Sequence, residues 1–185
     1  MRITGGAARG RSLRVPRGSK VRPTADKVRA AIFNILANRT DLAGQTWLDL
    51  FAGSGALGLE ALSRGAATVL FVDQSAESCR FVLQNVERSG FAACATVRRL
   101  TLPDGLARLE TKGFAGAFVD PPYSRGLADG TLRALAEAGL VARGGWVVVE
   151  HAAGETLAER YGALRLTDSR RYGSTGLSLY VMEEA

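Results

Sequence analysis

From residue 45 to residue 151 the chain alternates between short apolar, β-branched runs and longer stretches with helical spacing. The runs at 46–50, 67–73, 95–100, 116–120 and 145–151 predict strands, and the spacing between them predicts helices over 56–64, 76–89, 103–110 and 127–138. Phe71-Val72 and residues 146–149 are continuously apolar, the pattern of strands covered on both faces in a parallel sheet. A further short helix is predicted over 155–161. Beyond it the rhythm changes. Residues 164–172 and 176–182 both read as strands, but only a Gly/Ser/Thr turn separates them, too little chain for a crossover helix. They predict an antiparallel hairpin. The expected fold class is therefore α/β, an open doubly wound Rossmann-like sheet, mostly parallel and finished by a C-terminal antiparallel hairpin.

The first 40 residues have a different pattern. Short runs at 2–4 and 12–15 flank Gly5-Gly6 and Gly10, predicting a loose β-ribbon, and Pro16, Gly18 and Pro23 mark a loop. Thr24 is placed to cap a helix, with Asp26 in its first turn. Val28, Ala31, Ile32, Ile35 and Leu36 follow at helical spacing, giving an amphipathic helix of about 14 residues. Its apolar face requires cover, so residues 1–40 are expected as an extension packed on a body formed by 41–185.

Charge sharpens that division. Residues 1–40 hold ten Arg/Lys and one acid, whereas the remaining chain holds 14 bases and 17 acids. A slightly acidic body with a strongly basic, glycine-interleaved head predicts contact with a polyanion. At 185 residues the chain is long enough to bury a core without staples. Its two Cys are too few for a disulfide scaffold, and its single His, His151, is too few for a multi-histidine metal site. No apolar run approaches the roughly 18 residues of a membrane span. A soluble, cytoplasmic, monomeric protein with no metal and no membrane partner is expected.

The sharpest local motif runs from Asp49 to Gly58. A strand ending near an acid meets a glycine-rich turn that opens a helix. Gly53 and Gly55 allow the tight turn and keep side chains away from a ligand. Gly53, Gly55 and Gly58 also spell the dinucleotide fingerprint, with Asp73 20 residues beyond Gly53. A carboxylate at Asp49 repels a pyrophosphate but suits a ligand carrying an ammonium group, which favours S-adenosylmethionine over a dinucleotide. In either case Asp73, at the end of the next strand, offers two oxygens to two ribose hydroxyls. The second motif is Asp120-Pro121-Pro122-Tyr123, directly after the apolar Ala117-Phe118-Val119. The prolines stiffen the chain where ligands of open α/β sheets bind. The Asp120 carboxylate and the Pro121 carbonyl are suited to accept from an exocyclic amine, and the Tyr123 ring to stack on the base.

These residues resemble class I S-adenosylmethionine-dependent methyltransferases acting on an exocyclic amine. More narrowly, they resemble the RsmD family of bacterial 16S rRNA (guanine-N2)-methyltransferases. The resemblance is carried by Arg2-Ile3-x-Gly5-Gly6-x-x-Arg9-Gly10-Arg11, Arg22-Pro23-Thr24-x-Asp26-Lys27-Val28-Arg29 and Phe33-Asn34-Ile35-Leu36. It continues through the run from Asp49 to Ala61 and through Val119-Asp120-Pro121-Pro122-Tyr123. It implies methylation of one guanine, the position the family names 966, in the small ribosomal subunit or a late assembly intermediate. It also implies a cofactor site of Asp49, Phe51, Ala52, Gly53, Ser54, Gly55, Asp73, Gln74 and Leu100, and a catalytic set of Asp120, Pro121 and Tyr123. Arg9, Arg11, Arg22 and Arg29 are the expected RNA contacts.

The chain departs from the family at Ser75, where members often carry a second acid, and over 98–101, where Arg-Arg-Leu-Thr replaces an Asn/Asp-Ala segment. A DNA adenine-N6 methyltransferase would use the same Asp-Pro-Pro-Tyr motif, but no target-recognition domain is evident. An RNA-binding assembly factor without turnover is the other alternative, opposed by the intact Asp49, Asp120 and Tyr123. His151 and Cys79 read as structural residues. Arg170, Arg171 and Tyr172 read equally as plain surface or as an extension of the RNA face.

Overall fold

A computed structural model describes residues 1–15, 23–123 and 126–183. The expected loop at Pro16 and Gly18, the RNA contact expected at Arg22 and the side chain of Thr24 lie outside the described residues. The chain forms two compact units, Met1–Arg99 and Leu100–Ala185.

In the first unit, α1 (Pro23–Leu36) is followed by β1 (Thr46–Leu50), α2 (Ala56–Ser63), β2 (Thr68–Asp73), α3 (Ala76–Arg88) and β3 (Ala95–Arg99). The strands lie in the order β3-β2-β1 and pair in parallel, with Leu48 opposite Leu70 and Phe71 opposite Val97. Trp47, Leu48 and Leu50 of β1 and Phe71 and Val72 of β2 are fully buried, as their unbroken apolar runs require. α1 already includes Pro23, which suits a first helical position, so Thr24 lies within the first turn rather than capping it. Its stripe of Val28, Ile32, Phe33 and Leu36 is buried, which is why the helix docks. Ser75 caps α3, its hydroxyl accepting from the Ser78 amide at 3.2 Å.

The ribbon before α1 closes through an Arg2–Ser12 antiparallel bridge and bonds from Ile3 N–H to the Arg11 carbonyl and from Gly10 N–H to the Ile3 carbonyl. It is fastened to α2. The Thr4 amide and hydroxyl donate to the two Glu60 oxygens, each at 2.7 Å, and the Ala8 amide donates to Ser63 Oγ at 2.9 Å.

The second unit contains β4 (Phe114–Val119), α4 (Leu127–Ala138), β5 (Val141–Ala152), β6 (Arg160–Tyr161), β7 (Leu164–Tyr172) and β8 (Thr175–Met182). Their order is β4-β5-β8-β7-β6. β4 and β5 pair in parallel, and the remaining pairs are antiparallel, as expected of the C-terminal hairpin. Two expected helices are corrected. Over 103–110 only a 3-10 turn, Asp104–Arg108, forms. Gly105 sits so close to Leu100 that a Cβ would stand 2.9 Å from Leu100 Cβ, and Leu106 alone among the apolar residues of that turn is fully buried. Over 155–161 there is no helix. The chain turns at Gly162 (φ 55°) and pairs β6 with the start of β7. Tyr161 packs edge-on against Tyr180 at 5.7 Å and donates to Asp129 Oδ1 at 2.7 Å, so side-chain burial outweighs local helical spacing.

Candidate active-site residues

The turn after β1 is held by two carboxylates. Asp49 is only 2 % exposed, and its Oδ2 accepts the Gly58 amide near the start of α2 at 2.8 Å. Asp73, half-buried at the end of β2, accepts the Gly53 amide through Oδ2 at 2.9 Å and the Ser75 amide through Oδ1 at 2.8 Å. Between these braces Phe51 has φ +59°, unique among the described non-glycine residues, and Gly53 and Gly55 have φ of 56° and 78°. A bulky residue in the left-handed region is strained, and such strain persists only where surrounding bonds over-determine the backbone.

The glycines divide the work. At Gly58 a Cβ would come within 2.3 Å of the Phe71 ring, so its absence lets α2 lie against β2. At Gly53 a Cβ would meet only the Phe51 carbonyl oxygen, at 3.9 Å, so the positive φ rather than packing calls for glycine, and no side chain covers the backbone there. Each Asp73 oxygen, having accepted one amide, retains a lone pair. This donor and acceptor set fits a ribose-bearing cofactor. Asp49 acquires a role the sequence pattern did not assign, holding the turn through Gly58 from a buried position.

Ala52 and Ser54 are buried in the same turn, and Gln74 is exposed beyond β2, with its carbonyl accepting from Arg99 Nε at 3.0 Å. Leu100 opens the second unit, half-buried against Gly105.

In the second unit Asp120 follows the fully buried Ala117, Phe118 and Val119. Its side chain reaches solvent, yet the surrounding protein displaces enough water to push the carboxyl up to about 6. Pro121 is buried and Pro122 exposed. The Tyr123 hydroxyl shares a 3.1 Å hydrogen bond with Thr175 Oγ1. Thr175 is itself buried and pairs with Ala152 of β5, so the ring is tied to the hairpin. His151 is structural in its contacts: Nε2 bonds Ser178 Oγ at 2.9 Å and Nδ1 bonds the Ala152 carbonyl at 3.0 Å. Gly176 leaves room for it, since a Cβ there would stand 2.4 Å from the ring.

The expected RNA arginines separate. Arg9 and Arg11 are exposed on the ribbon, and Arg11 Nη1 also donates to the Arg88 carbonyl at the end of α3, at 2.7 Å. Arg29 is corrected. It is 2 % exposed, with Nε 3.5 Å from the fully buried Glu60 and Nη2 donating to the Arg2 carbonyl and, at 3.0 Å, to Asp26. A guanidinium enclosed this way ties α1 to α2 and the ribbon and is not available to a phosphate. Glu60 is the centre of that network, which also includes Arg64, just past the end of α2, at 2.9 Å; the spacing of four between them is its one signal in the sequence. No signal in the sequence marks Asn85, which is fully buried on α3.

A glycine-turned, carboxylate-braced strand end, together with Asp-Pro-Pro-Tyr after a buried strand, defines a methyltransferase of the Rossmann-like class. The family model described as "Conserved hypothetical protein 95" matches residues 1–181. The chain is 39% identical over 183 residues to the Bacillus subtilis (strain 168) protein named "Putative rRNA methyltransferase YlbH", covering 97% of this chain and 98% of that one. It is 40% identical over 152 residues to "Ribosomal RNA small subunit methyltransferase D" of Escherichia coli (strain K12), covering 81% and 74%. An Escherichia coli structure described as "Putative methyltransferase yhhF" superposes with a TM-score of 0.83 at 35% identity, covering 100% of this chain and 99% of that one. The chain belongs to this family, the RsmD family of methyltransferases.

Proposed function

We propose that the protein transfers the methyl group of S-adenosylmethionine to the exocyclic N2 of a guanine in 16S rRNA, the nucleotide the family names 966. The substrate is the small subunit or a late assembly intermediate, and the protein acts as a cytoplasmic monomer. The observation that carries this reading is the carboxylate of Asp120, solvent-accessible at the end of a buried strand and followed at once by Pro121, Pro122 and the anchored Tyr123. The kinship with rRNA methyltransferase D supports the RNA class.

The bound cofactor would supply an electrophilic methyl on its sulfonium. Asp73 would accept from its ribose, Gly53 and Gly55 would admit it to the backbone, and Asp49 would keep the turn in register. Asp120 and the Pro121 carbonyl would each accept one of the two N2 hydrogens, which favours a pyramidal nitrogen whose lone pair is aimed. Tyr123 would fix the plane of the base by stacking. A base amine is a weak nucleophile, so positioning supplies most of the rate and no strong base is required; as the N–CH3 bond forms and the sulfonium S–CH3 bond breaks, one N2 proton would leave to the Asp120 carboxylate. Guanine N2 is hydrogen-bonded within a duplex, so the target must be unpaired or turned out. Arg9 and Arg11 would meet phosphates beside it.

The test is transfer of labelled methyl to unmodified small subunits, to bare 16S rRNA and to duplex DNA, followed by identification of the nucleoside. N2-methylguanosine from subunits is the expected product. N6-methyladenine in DNA, or cofactor binding with no transfer to any of the three, overturns the reading.

A further inference from the structure

Asn85 stands fully buried on α3 and makes three side-chain hydrogen bonds, all to backbone. Its Oδ1 accepts the Arg14 amide at 2.8 Å. Its Nδ2 donates to the Arg14 carbonyl at 2.8 Å and to the Ser54 carbonyl at 2.9 Å. Ser54 lies inside the glycine turn between Gly53 and Gly55, and Arg14 lies at the end of the basic ribbon. One carboxamide therefore joins the backbone that would border the cofactor to the backbone that carries Arg9 and Arg11. Both of its N–H donors are engaged, so displacing either carbonyl strands a buried polar group. The ribbon has a second tie to the same residue, since Ser54 Oγ stands 3.4 Å from Met1 Sδ.

We propose that Asn85 is a positioning residue that couples cofactor binding to the RNA-binding ribbon, so that filling the turn orders residues 9–15 and RNA on the ribbon tightens the cofactor. The coupling is reciprocal by linkage, and rests on the functional reading above. Asn85 touches neither ligand; it acts through Ser54 on one side and Arg14 on the other.

The test uses the whole protein and S-adenosylhomocysteine as the probe. In the unaltered chain, amide hydrogen exchange over residues 9–15 is expected to slow when the probe binds, and small subunits are expected to raise probe affinity about 5-fold or more. In Asn85→Ala the subunit-induced ratio is expected to fall to near 1, whatever the change in melting temperature. A purely structural role would lower stability but leave that ratio intact. Probe binding without slowed exchange at 9–15 in the unaltered chain overturns the proposal even if the variant fails to fold, as does an unchanged ratio in a folded variant. Absence of probe binding overturns the functional reading and this proposal together.

Discussion

The strands β1 and β4 both end near an aspartate, yet the two carboxylates are used in opposite ways. Asp49 is enclosed and bonded to the Gly58 amide, and with Asp73 it holds a strained turn in one geometry. Asp120 reaches solvent, and its loop is stiffened by two prolines. Where the turn must keep one geometry, acids brace the backbone, and Asp73 keeps a lone pair on each oxygen for a ligand. Where a side chain would do the chemistry, the acid is presented and the backbone is held by covalent means.

The largest test of that contrast is Asp120→Ala. By analogy with the loss of one preorganised hydrogen-bonding group, methyl transfer should fall about 10²–10³-fold while S-adenosylhomocysteine affinity, read by calorimetry, stays level. Equal losses in both would mean that Asp120 also shapes the cofactor turn.

Next is the pair of arginines. Arg29→Ala should cost about 3 kcal/mol in urea unfolding because it leaves Glu60 buried with a weakened network. Arg9→Ala should leave stability within about 0.5 kcal/mol and weaken subunit binding, with a shallower salt dependence. The reverse result would return Arg29 to the RNA face.

A smaller effect follows from protonation. In the proposed mechanism ionised Asp120 is the stronger acceptor for the amine, and desolvation around its carboxyl pushes it up to about 6. The transfer rate at limiting substrate should therefore be level above that pH and fall about tenfold per pH unit below it. Because folding raises this pKa, the same group favours the folded state at low pH, and that contribution is lost as pH rises through about 6. An acid limb centred near pH 4 would mean that the Asp120 carboxyl keeps its ordinary value, and no acid limb in Asp120→Asn relative to the unaltered chain would assign the limb to Asp120.

The smallest is Tyr123→Phe. It removes the bond to Thr175 but keeps the stacking ring, and should reduce transfer about 5-fold, the scale of one net hydrogen bond. No change would mean that the bond to Thr175 does not orient the ring.

Much of this was legible along the chain. The parallel strands were visible because burial on both faces leaves unbroken apolar runs, as at Phe71-Val72, and the final hairpin because a turn at Gly173 cannot hold a crossover. The glycine turn was visible because left-handed backbone selects glycine at 53 and 55. Phe51 defies that rule, and nothing in its own type announces φ +59°. The helix expected at 155–161 failed for a related reason: Tyr161 finds Tyr180 and Asp129, 19 and 32 positions away in the chain, and those contacts outweigh the spacing of its neighbours.

What the sequence by itself determined is therefore local and periodic: strand, turn and helix order, the basic head, and the two aspartate-centred motifs. Only tertiary structure decided the fate of individual polar groups. It enclosed Arg29 with Glu60, left Arg9 at the surface and set Asn85 between Ser54 and Arg14. The physical reason is that periodicity reports which face of an element is apolar. Whether a given charge or amide is exposed or satisfied depends on partners brought from elsewhere in the chain, and no local pattern records them.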